Sequence, residues 1–145
     1  MRLEPLYRLR FTYSESWGVP LEGGWRQWLF LAERRAEGSI SGRFRGANFP
    51  MRRGEAGPFR PDFRAVIETD DGARSCSNGM AMAAPTRWAG ARSSARSSKR
   101  AREPYSRLND AVCVSVGEVR KPEDPEGEVE LVVEIGELIW EPIAE

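Results

Sequence analysis

Along most of the chain, apolar and polar residues alternate with a period of two. Tyr7, Leu9, Phe11 and Tyr13 take turns with Arg8, Arg10 and Thr12, the pattern of a strand with one buried face. The stretch WRQWLFLAERRAEG, from Trp25, reads as a strand with a thick apolar middle at Trp28 to Leu31. In GSISGRFRG, Ile40 and Phe44 oppose Ser41, Arg43 and Arg45, with Gly42 where a bend or another backbone comes close. Phe63, Ala65, Ile67 and Thr69 oppose Asp62, Arg64, Val66 and Glu68, and the run ends in Asp71-Gly72, a hairpin-turn signal. Val112, Val114 and Val116 share a face, with Cys113 between them as a buried, inert thiol. Near the end, Val129, Leu131, Val133 and Ile135 oppose Glu128, Glu130 and Glu134, an acidic face expected on a solvated edge. Residues 3–13, 38–46, 62–70, 111–119 and 128–140 are therefore expected as strands. KPEDPEGE is expected as a turn and YSRLND as a short helical turn. Short strands separated by turn signals predict an all-β protein with a single antiparallel barrel or sandwich.

One stretch breaks the pattern. From Arg74 to Glu103 the chain reads RSCSNGMAMAAPTRWAGARSSARSSKRARE, with no aliphatic residue larger than Ala apart from two Met. A turn at Asp71-Gly72 demands a returning strand, and this composition offers one little apolar surface to bury. A disordered loop and a basic arm for phosphates, centred on RSSKRAR, are two readings. A third is translation in the wrong frame after loss of one nucleotide near Arg74. Each codon then takes the third base of one residue and the first two of the next. Met80-Ala81, Met82-Ala83 and Trp88-Ala89 are forced to Gly, Asn78-Gly79 to Trp or Arg. Arg-Ser and Ser-Ser pairs give Phe, Leu, Ile or Val wherever the serines use TCN codons. One permitted string is VLFEWHGYGRAYPLGRRQVVGA, an apolar strand, a turn and the start of a second strand, and this reading is favoured. As written, residues 74–103 are expected to be disordered or poorly packed, leaving the barrel incomplete and open beside Thr69.

Composition narrows the class. The chain has 145 residues and a formal net charge of zero, enough for one domain spanning 1–145 and without a global attraction to nucleic acid or anionic membranes. No apolar run reaches the roughly 18 residues of a membrane span, and the early alternation of MRLEPLYRLRFTY does not read as a signal peptide. The expectation is a cytoplasmic protein with neither nucleic acid nor membrane as partner. It contains no His and two Cys, Cys76 and Cys113, without metal spacing. That excludes a Ser-His or Cys-His nucleophile and His-ligated metal. No metal and no cofactor are expected.

The segments GRFRGANFP, PDFRAVIETDDGA and YSRLNDAVCVSVGEVR resemble the bacterial domain-of-unknown-function family 3237. The most specific parts are Glu68-Thr69-Asp70-Asp71-Gly72-Ala73, Leu108-Asn109-Asp110 and Gly117-Glu118-Val119. The resemblance covers nearly the whole chain outside the odd stretch, and there the family is similar to the reframed string. It implies a small antiparallel β-barrel, similar in architecture to allene oxide cyclase and lipocalin-like barrels, and no established activity. Phe49, after Asn48, stands where related sequences often read Asn-His-Pro, so a His-based site does not carry over.

Candidate site residues follow from parity. Arg43 and Arg45 share one strand face, and Asp62, Arg64 and Glu68 share another. Lining a barrel interior, they would form a charged patch that orients a polar ligand head, with Asp62 or Glu68 as a proton-moving carboxylate. On the outside they would be a solvated face. Asn48, Tyr105 and Asn109 complete the candidate ligand-binding set. Asn109 also suits the capping of loop backbone, and Tyr105 an anchor at the barrel end. The expected function is binding of a small, partly apolar molecule in the barrel. The alternatives are a cofactor-free isomerase, cyclase or lyase, and a non-functional product of a shifted frame. Oligomers through the open barrel edge are a further expectation.

Overall fold

The alternating segments become ten strands of one antiparallel sheet. The computed structural model describes residues 1–83, 87–97, 103–121 and 128–142, with backbone alone for 78–83, 87–97, 103 and 104. The strands are β1 (Arg2–Phe11), β2 (Glu15–Pro20), β3 (Trp25–Gly38), β4 (Gly42–Asn48), β5 (Met51–Arg53), β6 (Asp62–Thr69), β7 (Arg74–Ala83), β8 (Arg87–Ser97), β9 (Cys113–Arg120) and β10 (Glu130–Ile139). Their order is β1-β10-β9-β8-β7-β6-β4-β3-β2. The sheet curls until β1 also meets β3, through Tyr7↔Gly38 and Arg8↔Glu37. Gly38 permits this seam: a Cβ there would lie 2.5 Å from the Leu6 carbonyl oxygen, and its φ is 146°.

The backbone of 74–83 and 87–97 corrects the expectation that this stretch forms no strand pair. The backbone of β7 pairs with β6 from Glu68↔Arg74 to Asp62↔Met80, and β8 bridges β7 to β9. The described backbone, 74–83 and 87–97, is therefore a strand pair that continues the wall past Thr69, so the expected open edge there is not found. The Asp71-Gly72 turn that starts the return behaves as read, with Gly72 at φ 84° and its N–H donating to the Thr69 carbonyl at 2.9 Å. The Lys-Arg part of the proposed basic arm, 98–102, lies outside the described residues, as does most of the KPEDPEGE turn, 122–127.

The core fills the inner face. Leu6, Leu9, Phe11, Phe44, Ile67, Leu131, Val133 and Ile135 are buried there. One end is plugged by the segment after β8, a short helix α1 (Glu103–Ser106) and a 3-10 turn (Arg107–Asn109), as YSRLND suggested. Leu108 in that turn is 1% exposed, and Arg107 pairs with the buried Glu137.

Strand β9 reverses the simplest reading of its valines. Cys113, Ser115 and Gly117 face the core, whereas Val112 and Val116 are 55% and 43% exposed. Cys113 is buried and free, as expected. The acidic face of β10 is also not an edge, because β10 pairs with β1 and β9 on its two sides. Glu134 is exposed there and pairs with Arg8 of β1.

These placements set an order of mutational cost. Leu108→Ala should destabilise the protein by about 2–5 kcal/mol, the range for emptying a buried Leu site. Val116→Ala should stay within about 0.5 kcal/mol. Chemical denaturation of both variants checks this, and equal costs would contradict the inverted face of β9.

Candidate functional site

The parity of β4 and β6 is fixed where Phe44 pairs directly with Ile67, both buried to within 3%. Their neighbours along each strand must point the other way. Arg43, Arg45, Asp62, Arg64 and Glu68 therefore lie on the outer face, and the interior charged patch is corrected to a solvated ion-pair lattice. Arg43 pairs with Glu33, and Arg45 Nε lies 3.5 Å from the same carboxylate. Arg64 and Asp62 are 3.2 Å apart, Arg74 and Glu68 3.1 Å. Exposed pairs of this kind contribute about 0–1 kcal/mol each. Neither Asp62 nor Glu68 reaches the inside of the barrel, so neither can move a proton there.

Asn48 is inside. It is 5% exposed, donates to the Tyr13 hydroxyl at 3.0 Å and accepts from the Asp62 backbone N–H at 3.1 Å. Tyr105 sits at the plugged end, packed against the core. Its hydroxyl is hydrogen-bonded to Thr69 and Asp71, and burial, then the Asp71 charge, push its pKa up. Thr69 in turn donates to Asp71 Oδ1 at 2.5 Å, so Tyr105 anchors the plug to the Asp71-Gly72 turn. Asn109 is exposed on the 3-10 turn, and Asp110 N–H closes that turn onto the Arg107 carbonyl at 3.2 Å. Tyr105 and Asn109 are thus remote from Asn48, and the eight candidates do not form one site.

What the interior does hold is a partly open cavity of about 40 Å³, walled by Leu9, Phe11, Phe44, Phe63, Val133 and Ile135 among others. At roughly 10–15 Å³ per water it admits a few waters. Its polar groups are Tyr7, Ser77 and Ser115. The Tyr7 hydroxyl donates to Ser77 Oγ at 3.0 Å. Burial pushes the Tyr7 phenol up to about 12, and burial does the same to Tyr13. Both are neutral at physiological pH and serve as hydrogen-bond donors. Above the cavity Tyr13 stacks on Phe30 with centroids 4.4 Å apart and meets Phe11 edge-on at 5.5 Å, which makes an aromatic mouth.

Past this mouth the sheet continues as a lip. The register Phe30↔Asn48 runs on unchanged to Gln27↔Met51, so β4 and β5 are one strand interrupted at Phe49-Pro50. Trp28 and Arg26 on β3, with Arg52 on β5, prolong the inward row of Asn48 and Phe30. Arg52 lies over the Phe59 ring at 4.8 Å and the Trp28 ring at 5.6 Å. Sequence reasoning singled out neither the tyrosine pair nor these arginines as site residues. The Tyr7-to-Tyr13 alternation did carry the first signal, but the second exists only in cross-strand register.

No family model matches the chain, and no curated protein matches it by sequence. Solved structures do. A protein of unknown function from Clostridium acetobutylicum is 14% identical with a TM-score of 0.72, covering 94% of this chain and 99% of its own. An enzyme from Penicillium herquei is 20% identical with a TM-score of 0.65 over 94% and 92% of the two chains. A β-barrel-like protein from Acinetobacter baumannii is 19% identical with a TM-score of 0.66 over 94% of each. At these identities the likeness is one of fold alone, an antiparallel β-barrel-like fold.

The buried phenols make stability depend on pH in the alkaline range. A phenol that loses its proton near 10 when unfolded and near 12 when folded favours the folded state fully below pH about 10. That contribution is lost as pH rises from about 10 to about 12. Thermal melts across this window should show a falling midpoint, less steep in Tyr7→Phe and Tyr13→Phe than in the parent chain. A parent slope unchanged in both variants would place the loss elsewhere.

Proposed function

We propose that this protein binds a small, partly apolar molecule in the barrel, in the cytoplasm, with the cavity as floor and the aromatic mouth above it as seat. The observation that carries this is an apolar cavity whose few polar groups are the neutral hydroxyls of Tyr7, Ser77 and Ser115, a mixture usual for small-molecule sites. The proposal includes membership of domain-of-unknown-function family 3237, on the ETDDGA, LND and GEV motifs. The neutral fluorophore N-phenyl-1-naphthylamine tests it. Saturable binding at one site is expected, weakened at least about tenfold by Ala65→Leu or Ser115→Leu, each of which fills the cavity. Absence of saturable binding, or binding indifferent to both variants, would reject the reading.

A cofactor-free isomerase, cyclase or lyase is supported by the Penicillium herquei neighbour, which is described as an enzyme. In this chain Tyr7 or Tyr13 would then hold or deliver the proton, since Asp62 and Glu68 lie outside.

The register of β7 and β8 favours the reading that residues 74–103 are a wrong-frame translation of a functional barrel. Ser75, Ser77 and Gly79 pair with the inward-facing Ile67, Ala65 and Phe63, and Ser97, Ala95 and Ser93 pair with them in turn. A barrel wall with only Ser, Ala and Gly at those places loses apolar burial, at about 1.5–3 kcal/mol for each large side chain absent. With the frame shifted after Arg74 and TCN serines, positions 75, 77, 93 and 97 all become large and apolar. The coding sequence read in three frames tests this directly, as does expression of the restored chain. An uninterrupted alternative frame and a higher melting temperature are expected. A stop codon in that frame, or a lower melting temperature, would refute it.

A further inference from the structure

The lip carries two guanidinium groups, those of Arg26 and Arg52, packed on the Trp28 and Phe59 rings. Arg26 and Arg52 are direct cross-strand partners, on the row that leads through Trp28 and Pro50 to Phe30 and Asn48. Among the described residues neither is ion-paired. The acidic residues nearest in sequence, Glu22 and Glu55, are exposed. Arg53, one residue on, points to the other face and donates Nε to the Gly23 carbonyl at 3.1 Å.

Arg52 is the less ordinary of the two. Its Nε is buried and has no hydrogen-bond acceptor. Burying a guanidinium N–H without an acceptor costs more than the same loss for a neutral donor. The Phe59 and Trp28 rings beneath and beside it hold its plane, and Arg26 lies over Trp28 at 5.8 Å. Trp28 also packs across Gly18 of β2, where a Cβ would meet the indole at 3.0 Å. A flat cation held against two rings, with no carboxylate neutralising it among the described residues, can receive a carboxylate or phosphate through its terminal Nη groups.

The spacing sets the size of the molecule. Arg52 is four residues beyond Asn48 along one strand line, about 13 Å at roughly 3.3 Å per residue. Phe59 packs against the same core that walls the cavity, so the row from Arg52 to Asn48 is continuous with the mouth. We infer that Arg26 and Arg52 form an anion subsite at the barrel mouth, receiving the terminal carboxylate of an extended apolar molecule whose other end enters past Tyr13 and Asn48. This inference rests on the barrel-binding reading and adds the charge and length of its ligand.

Decanoate and decan-1-ol, competing against N-phenyl-1-naphthylamine, are the probes. Decanoate is expected to bind at least about tenfold more tightly than the alcohol, because a carboxylate accepts charge-assisted hydrogen bonds that the hydroxyl does not. Arg26→Gln and Arg52→Gln should each weaken decanoate by about tenfold and leave decan-1-ol and the fluorophore unchanged. Arg26 is exposed, so its variant folds independently of the buried Arg52 contacts and keeps the test valid if Arg52→Gln is unstable. Equal affinity for the two probes, or variants that weaken both alike, would overturn the anion subsite while leaving barrel binding intact. Failure of the fluorophore and both probes to bind would overturn both.

Discussion

In the closed ring of β1, β10, β9, β8, β7, β6, β4 and β3, every strand must be paired on both sides, while β2 extends outward from β3. In this chain that condition is met through β7 and β8, the two strands with the poorest sequence for it. Remove them, and β6 and β9 become edges whose inner residues, Ile67 and Cys113, lose their cover. The opposite joint is also slight, because β1 and β3 share two residue pairs and depend on Gly38 for their approach. Closure fixes the parity of every other strand. Once Phe44 and Ile67 point inward, the arginines and carboxylates beside them have nowhere to go but out.

The strands themselves were legible because period-two alternation survives in β1, β4, β6 and β10, and because Gly72 and Gly42 mark real turns and close approaches. Choosing the face was harder. On β4 and β6 the apolar row is the inner one, so the charged row could only have lined the interior of a water-filled barrel. On β9 the aliphatic row faces out and Cys113, Ser115 and Gly117 face in, because the adjacent strand β10 supplies the bulk through Val133 and Ile135, the partners of Gly117 and Ser115. Hydrophobicity read along one strand cannot report what the neighbouring strand contributes. Residues 74–97 misled for a related reason: ladder hydrogen bonds need only backbone, and composition speaks to side-chain burial. The Arg26–Arg52 pair was illegible because the two residues are 26 apart in sequence and meet only through the β3–β5 register.

The two ends of the barrel are built differently, and this gives the interior a direction. At the plugged end Leu108, Tyr105 and the Arg107–Glu137 pair close the wall, and the polar groups there already have partners. The mouth is closed by packed rings, Tyr13 stacked on Phe30 and Trp28 tilted against Phe59. Such rings slide apart at lower cost than a buried ion pair separates. From the lip inward, Arg26 and Arg52 come first, Tyr13 next and the Tyr7 hydroxyl last.

The same small residues bear on both function and frame. Ser77 lines the cavity and satisfies Tyr7, so the chain as written has a polar floor with its donor already occupied. In the shifted frame, Cys76-Ser77 with a TCN serine can yield only Phe or Leu at that place. The extra bulk would fill part of the cavity and strip Tyr7 of its acceptor. A buried hydroxyl without a partner is costly, so the Tyr7 proton would then be offered to whatever occupies the barrel. The restored chain would trade a small, self-satisfied hole for a narrower site with a free donor at its base. Under a shifted frame Tyr7 would be the interior residue most affected by β7, because its hydroxyl bonds Ser77, 70 residues away in sequence.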